Sequence, residues 1–318
     1  MTETPSTSTF SLWLEEALTG WILPVTGLVL AGAAWGLYVL GLLPEGPTAA
    51  VLAALVALVV ALLMVRAALA PAVDPPTRAL TLGAAALAAL LCAGAAIGAT
   101  WPGAPLAEGE LAKAGDALPL PAGLSGRVKL LVHAPLPPGG TPQADFRLAG
   151  ATSPLQGHVE RTVSSVRVGR GNRASVAHDL NETWVHGAVA VGTPALTLDR
   201  LAGQVAGPLH VTLYGEYLPP VLLWSLAAAA LAAAAVAESR MKKGSVAALA
   251  GMALGYGLLV AFNATPSQAV GTSLGAVLLG GLGGALVGGS AAILARLGPW
   301  RLDPEAAAAA GKGRARRA

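Results

Sequence analysis

Charge is scarce in this chain. Of its 318 residues only 12% are Asp, Glu, Lys or Arg, about half of the roughly 25% carried by a water-soluble domain. That shortfall excludes a protein solvated by water throughout. With 54% apolar residues and a mean hydropathy of +0.64, much of the surface has to face lipid. Aromatic residues are few as well, at 4%. The apolar stretches are therefore built from Ala, Leu, Val and Gly, and small side chains let helices approach closely in a bilayer. There is one cysteine, Cys92. A lone cysteine forms no internal disulfide and no Cys-x-x-Cys zinc site, so it reads as a small apolar packing residue.

Catalytic signatures are missing too. There is no His-Glu-x-x-His, no Walker A sequence and no dinucleotide fingerprint. Ser164, Ser165, Ser175 and Asp179 lie near histidines but have no Gly-x-Ser-x-Gly near them. Ion-coupled transporters and proton pumps place ionisable groups inside the bilayer, and the apolar stretches here have none away from their ends. The expectation is a protein that is not an enzyme and carries no cofactor and no metal.

What is present is a set of six uncharged runs, each long enough to cross a bilayer, which takes roughly 20 residues. They cover about 21–43, 48–65, 79–101, 219–237, 244–262 and 270–295. Trp21, Trp101, Trp224 and Trp300 mark ends of these runs, where amphipathic rings favour the headgroup layer. Residues 1–20 form a cytoplasmic or interfacial N-terminus. Within them Phe10, Trp13, Leu14, Ala17 and Leu18 repeat at helical spacing, as in a short interfacial helix or an extension of the first span.

Basic residues set the orientation. Arg66 and Arg78, then Arg240, Lys242 and Lys243, then Arg296, Arg301, Lys312, Arg314, Arg316 and Arg317 all fall on one side. The loops 44–47 and 263–269 have none. The positive-inside rule puts both termini, including the basic tail 296–318, in the cytoplasm. The intervening segment 102–218 then faces outward. The abundance of Ala and Gly suggests a bacterium, so the expected location is a bacterial inner (cytoplasmic) membrane with a periplasmic domain. Beside a membrane helix the basic tail is a topology or lipid-contact signal, and no nucleic acid partner is expected.

The outer segment changes character. Residues 102–125 are rich in Pro, Gly and Ala and read as a linker. Alternating runs follow at 127–133, 145–148, 158–168, 173–178 and 209–214, the pattern of half-buried strands. Turns are expected at 137–140 and 169–172. Short strands with Gly and Pro punctuation point to an all-β sandwich or jelly roll. Arg161, Arg167, Arg170 and Arg173 make one locally basic region, a candidate contact for a partner or a polyanion. A solvated strand face is the plain alternative. All five histidines lie in this segment: His133, His158, His178, His186 and His210. Their spacing brings no pair together as metal ligands.

Small-residue spacing marks the last two runs: Gly251-x-x-x-Gly255, Gly271-x-x-x-Gly275, and Gly280, Gly284 and Gly288 in steps of four. Such patterns let helix backbones touch, either within this chain or against a partner subunit or a lipid.

Three helices, an outer β-domain, three helices and a basic cytoplasmic end form a recognisable order. Arg240-Met-Lys-Lys-Gly244, followed by Gly251, Gly255 and Tyr256, resembles the start of the fifth helix in permeases of bacterial lipopolysaccharide export, the LptF/LptG type. That resemblance implies a periplasmic jelly roll that passes lipid onward and a separate cytoplasmic ATPase. The residues themselves lead first to a non-enzymatic membrane subunit of an envelope assembly or export complex, whose outer domain binds a partner or envelope polymer. The export permease is the alternative. Expected partners are membrane lipid, other membrane or periplasmic proteins and, on the export reading, that ATPase.

Overall fold

The computed structural model describes residues 22–167, 173–241 and 244–297. It divides into a helical unit on either side of an inserted β unit, Pro102–Pro219.

The helical unit contains α1 (Ile22–Val39), α2 (Glu45–Ala68), α3 (Pro75–Thr100), α4 (Pro220–Ser239), α5 (Val246–Asn263), α6 (Ala269–Ala276) and α7 (Leu282–Arg296). One wide π turn, Val277–Gly281, joins α6 to α7. Among the described residues five helices are long and apolar enough to cross a membrane, with Ala269–Arg296 counted as one. The first of the six expected runs is a shorter apolar helix over Val25–Val39. Its expected end at 43 is cut back by Gly41, whose φ is +72°. The Leu42 N–H bonds to the Leu37 carbonyl and the Gly41 N–H to that of Tyr38, a Schellman closure that needs a left-handed residue.

Three helices start with a particular device. Asp74 accepts from the Thr77 N–H at 3.2 Å and α3 opens on two prolines, which suit a first turn that lacks internal bonds. Helices α5 and α6 have no side-chain cap of their own. Glu238, at the end of α4, accepts from the Ala247 N–H of α5 at 2.8 Å. Glu45, at the start of α2, accepts from the Val270 N–H of α6 at 3.3 Å. A carboxylate also complements the positive end of a helix dipole.

The interior of this unit is mostly alanine. Ala49, Ala53, Ala57, Val60 and Met64 bury one face of α2, and Ala84, Ala88, Cys92 and Ala96 bury one face of α3. Helix α5 is the most buried of the five long helices. It packs on α2, α3, α4, α6 and α7.

Among the described residues the β unit has nine strands in two antiparallel sheets. They are β1 (Ala107–Leu111), β2 (Ala117–Pro119), β3 (Gly126–His133), β4 (Gln143–Ala149), β5 (Leu155–Arg167), β6 (Arg173–Leu180), β7 (Glu182–Val189), β8 (Ala195–Gly203) and β9 (Leu209–Gly215). One sheet runs β1-β9-β3-β7 and the other β2-β8-β4-β5-β6. Alternate residues of both sheets, among them Val128, Leu130, Val132, Phe146, Leu148, Leu196, Val211 and Leu213, join in one buried cluster. The period-two pattern of the sequence produces that inward face.

The expected linker at 102–125 is corrected: it holds β1 and β2. Each is short and sits at a sheet edge, where five and three residues suffice for pairing with β9 and β8. Alternation over so few residues is too weak to see among Pro and Gly. Strands β7 and β8 also add to the five runs recognised from alternation. At 137–140 the expected turn has Gly139 and Gly140 at φ +84° and +65°. The turn at 169–172 lies outside the described residues, between the paired strands β5 and β6.

Candidate binding sites in the two units

The glycine spacing resolves into a seam between α5 and the helix that follows it. A Cβ added at Gly251 would strike the Gly284 carbonyl, and one at Gly255 that of Gly280. A Cβ at Gly288 would strike the carbonyl of Ala247. The antiparallel pairs are therefore 247 with 288, 251 with 284 and 255 with 280. Steps of four on both helices keep all three pairs on the contact line, and Ala247 supplies the step before Gly251. Gly271 and Gly275 play no part in this, for nothing lies within 4 Å of a Cβ built on either. Their position precedes the π turn. Gly257 makes a second close approach, with its added Cβ at 2.7 Å from the Cys92 Cα of α3.

A groove of about 640 Å³ opens beside this seam, walled by α4, α5 and α7 with the π turn. Ala227, Ala228 and Leu231 line one wall, and Leu254, Leu258 and Val287 line others. Gly283 and Gly284 leave its floor smooth. At one end Trp224 and Phe262 stack with ring centroids 5.7 Å apart and planes 14° from parallel. Asn263 lies at that end, its Nδ2 donating to the Leu259 carbonyl at 2.9 Å. At the other end Glu238 ties the same three helices together. It caps α5 and lies 3.7 Å from the Arg296 guanidinium of α7. The π turn contributes Leu279 and Gly280 to the lining, and such turns occur often at functional sites.

Gly271-Thr-Ser273-Leu-Gly275 matches the Gly-x-Ser-x-Gly spacing, away from the serines considered above. It lies within α6, with Ser273 buried, whereas the nucleophile elbow is a strand-to-helix turn. No histidine lies in any helix to act as its base.

Of the four candidate arginines of the β unit, Arg161 is the one whose side chain is described. Arg161 is held in place: its guanidinium grips both Asp179 oxygens and donates to the Pro137 carbonyl at 2.7 Å. It ties β5 to β6 and to the 137–140 turn. The bond to Asp179 raises the arginine's pKa and lowers the carboxylate's. Arg167 and Arg173 are register partners at the end of the β5–β6 pair. Arg170 lies outside the described residues.

Four histidines face carboxylates. His158 Nδ1 is 2.8 Å from Asp145, His186 Nδ1 is 2.5 Å from Glu216, His210 Nδ1 is 3.3 Å from Glu110, and His133 Nδ1 is 3.6 Å from Glu182. Hydrogen bonding to Asp145, opposed by burial and helped by Glu160, raises the pKa of His158 above 6.5. Strand register sets Glu110, His210, His133 and Glu182 in one row across four strands. The two imidazoles stand side by side with centroids 6.0 Å apart. Among the described residues no three His, Cys, Asp or Glu groups cluster in a way that could hold a metal ion.

The same sheet face carries an aromatic and cationic patch that spacing alone did not reveal. Lys129 Nζ lies 4.5 Å from the centroid of the Trp184 ring. Trp184 meets Tyr214 edge-on at 5.7 Å. Burial lowers the Lys129 pKa to about 8, against a raising effect of Glu216. Period-two alternation could have found the patch, because Lys129, Trp184 and Tyr214 are the outward positions of β3, β7 and β9. It required knowing that these strands are neighbours.

Comparison with known proteins finds no matching family model, no matching curated protein and no matching solved structure.

Proposed function

We propose that this chain is a non-enzymatic, six-span subunit of an envelope assembly in a bacterial inner membrane. Both termini lie in the cytoplasm, and the β unit is a periplasmic sandwich that docks a partner protein. The observation that carries this reading is the Trp184, Lys129 and Tyr214 patch. Tryptophan and tyrosine dominate the energetic centres of protein interfaces. A half-buried ammonium over an indole face gains strength as water is excluded. The bordering carboxylate–imidazole pairs supply the polar rim that such centres have.

The test is isolation of the tagged protein from its host in mild detergent, with mass spectrometry of what accompanies it, for the native chain and for Trp184→Ala. A stoichiometric envelope protein present with the native chain and lost with the variant supports the reading. Equal recovery with both places the contact elsewhere and defeats it. Persistence of function after removal of residues 102–219 defeats it as well.

One observation favours a second reading, a lipid export permease driven by a separate ATPase: the groove beside the glycine seam. Against it stands the β unit's interior, filled by apolar side chains from both sheets, whereas export through a jelly roll calls for an open apolar channel. A stoichiometric cytoplasmic ATPase in the same isolation would turn the choice toward export.

A further inference from the structure

We propose that the groove between α4, α5 and α7 is a lipid site that holds one acyl chain, drawn from the leaflet at the end where α4 begins. This does not depend on what the β unit binds.

Its dimensions select the occupant. The lining of α5 runs from Gly251 to Asn263, roughly 18 Å at 1.5 Å per residue. One leaflet of a bilayer's hydrocarbon core is roughly 15 Å deep. An extended hydrocarbon chain of leaflet depth matches that length. The glycine seam that would otherwise recruit a helix is already closed by pairing within the chain.

Chemistry agrees with size. The walls are Ala, Leu, Val and Gly, and the polar groups of the lining, the Asn263 amide and the Trp224 indole N–H, lie at one end. A buried water needs two to four polar partners, so the length of the groove stays dry. An empty groove would forfeit dispersion contacts along its walls. The Trp224, Phe262 and Asn263 end is where α4 begins and α5 stops. Amphipathic rings and an amide there suit the headgroup level, with the chain tail running toward Glu238. The π turn in the wall is a second and separate mark of a functional site.

Gly283 provides the test. It lines the groove, and a Cβ built on it meets nothing within 4 Å, so Gly283→Leu fills the space without parting the seam. Gly289 on the same helix is equally unobstructed and does not line the groove. The full-length protein is reconstituted in phosphatidylethanolamine and phosphatidylglycerol vesicles, extracted in a delipidating detergent and weighed by native mass spectrometry. The native chain and Gly289→Leu are expected to retain one phospholipid each. Gly283→Leu is expected to retain at least tenfold less, with a thermal midpoint for exposure of Cys92 equal to that of Gly289→Leu. Should Gly283→Leu fail to fold, Leu231→Trp fills the groove from the opposite wall with the same expectation. Equal retention by groove-filling and native chains overturns the proposal. So does a native chain that emerges lipid-free, or as a dimer that Gly283→Leu separates, which would make a second copy the occupant.

Discussion

Replacing Gly255 and Gly275 by alanine, one at a time, separates helix propensity from packing. Both glycines sit in helices, so each change should return about 0.8–1 kcal/mol of helix propensity. At Gly275 that is all that happens, because the new methyl meets nothing within 4 Å. At Gly255 the methyl falls on the Gly280 carbonyl oxygen and comes within 2.9 Å of the Gly284 Cα. Carbon atoms rest about 3.5–4.0 Å apart, so the two helices must part by about 1 Å. That costs about 1–3 kcal/mol, the usual range for overpacking. Propensity cancels between the variants, leaving Gly255→Ala less stable than Gly275→Ala by that amount. For a helical unit of this size 1 kcal/mol corresponds to about 2–4 °C, so the midpoints should differ by roughly 2–12 °C. The assay is built into the chain. Cys92 is the single cysteine, it is buried, and it packs on Gly257 of the same helix as Gly255. A maleimide fluorophore reacting during a thermal ramp in detergent therefore reports when α5 leaves α3. Equal midpoints, or a lower one for Gly275→Ala, would refute the seam.

Three further outcomes follow from the same geometry. Glu238→Ala leaves the buried Ala247 N–H without its acceptor and Arg296 without its ion-pair partner, so it should lower the Cys92 midpoint, at a cost of about 1–3 kcal/mol; an unchanged midpoint would mean that α5 needs no borrowed cap. Lys129 is half-buried with a pKa lowered to about 8, below its unfolded value of about 10.4. Between those values the unfolded chain binds more protons, so stability should rise as pH climbs from 8 toward 10; carbon-13 methylated Lys129 should titrate near 8, and Lys129→Met should flatten the pH dependence. His158 behaves in the opposite sense. Its raised pKa means that the stability contributed by Asp145 is complete below about 6.5 and fades as pH rises through the folded value; proton NMR should show His158 titrating lower in Asp145→Asn than in the native chain.

Local chemistry carried much of this architecture. Apolar runs with scarce charge marked, to within a few residues, five helices long and apolar enough to cross a membrane and the shorter helix over Val25–Val39, because a bilayer demands length and apolarity from each span by itself. Alternation marked β3, β4, β5, β6 and β9, because an inward and an outward face repeat every two residues wherever one side is buried. Glycine steps of four identified the residues able to bring helix backbones together. Long-range pairing decided the rest. Which glycines close a seam depends on the partner helix: Gly251, Gly255, Gly280, Gly284 and Gly288 meet backbone, while Gly271 and Gly275 share the spacing and meet nothing. Strands β1 and β2 exist because β9 and β8 have edges to pair with. Arg161 belongs to Asp179, eighteen residues away, and Trp184 reaches Lys129 only once β7 lies beside β3. Glu238 is, in the sequence, the charge next after the apolar run 219–237 and, in the fold, a helix cap, since its value as an acceptor depends on an N–H that only the turn into α5 brings within reach. The groove, likewise, belongs to no segment: three helices leave it between them, and its size follows from how closely glycine lets two of them meet.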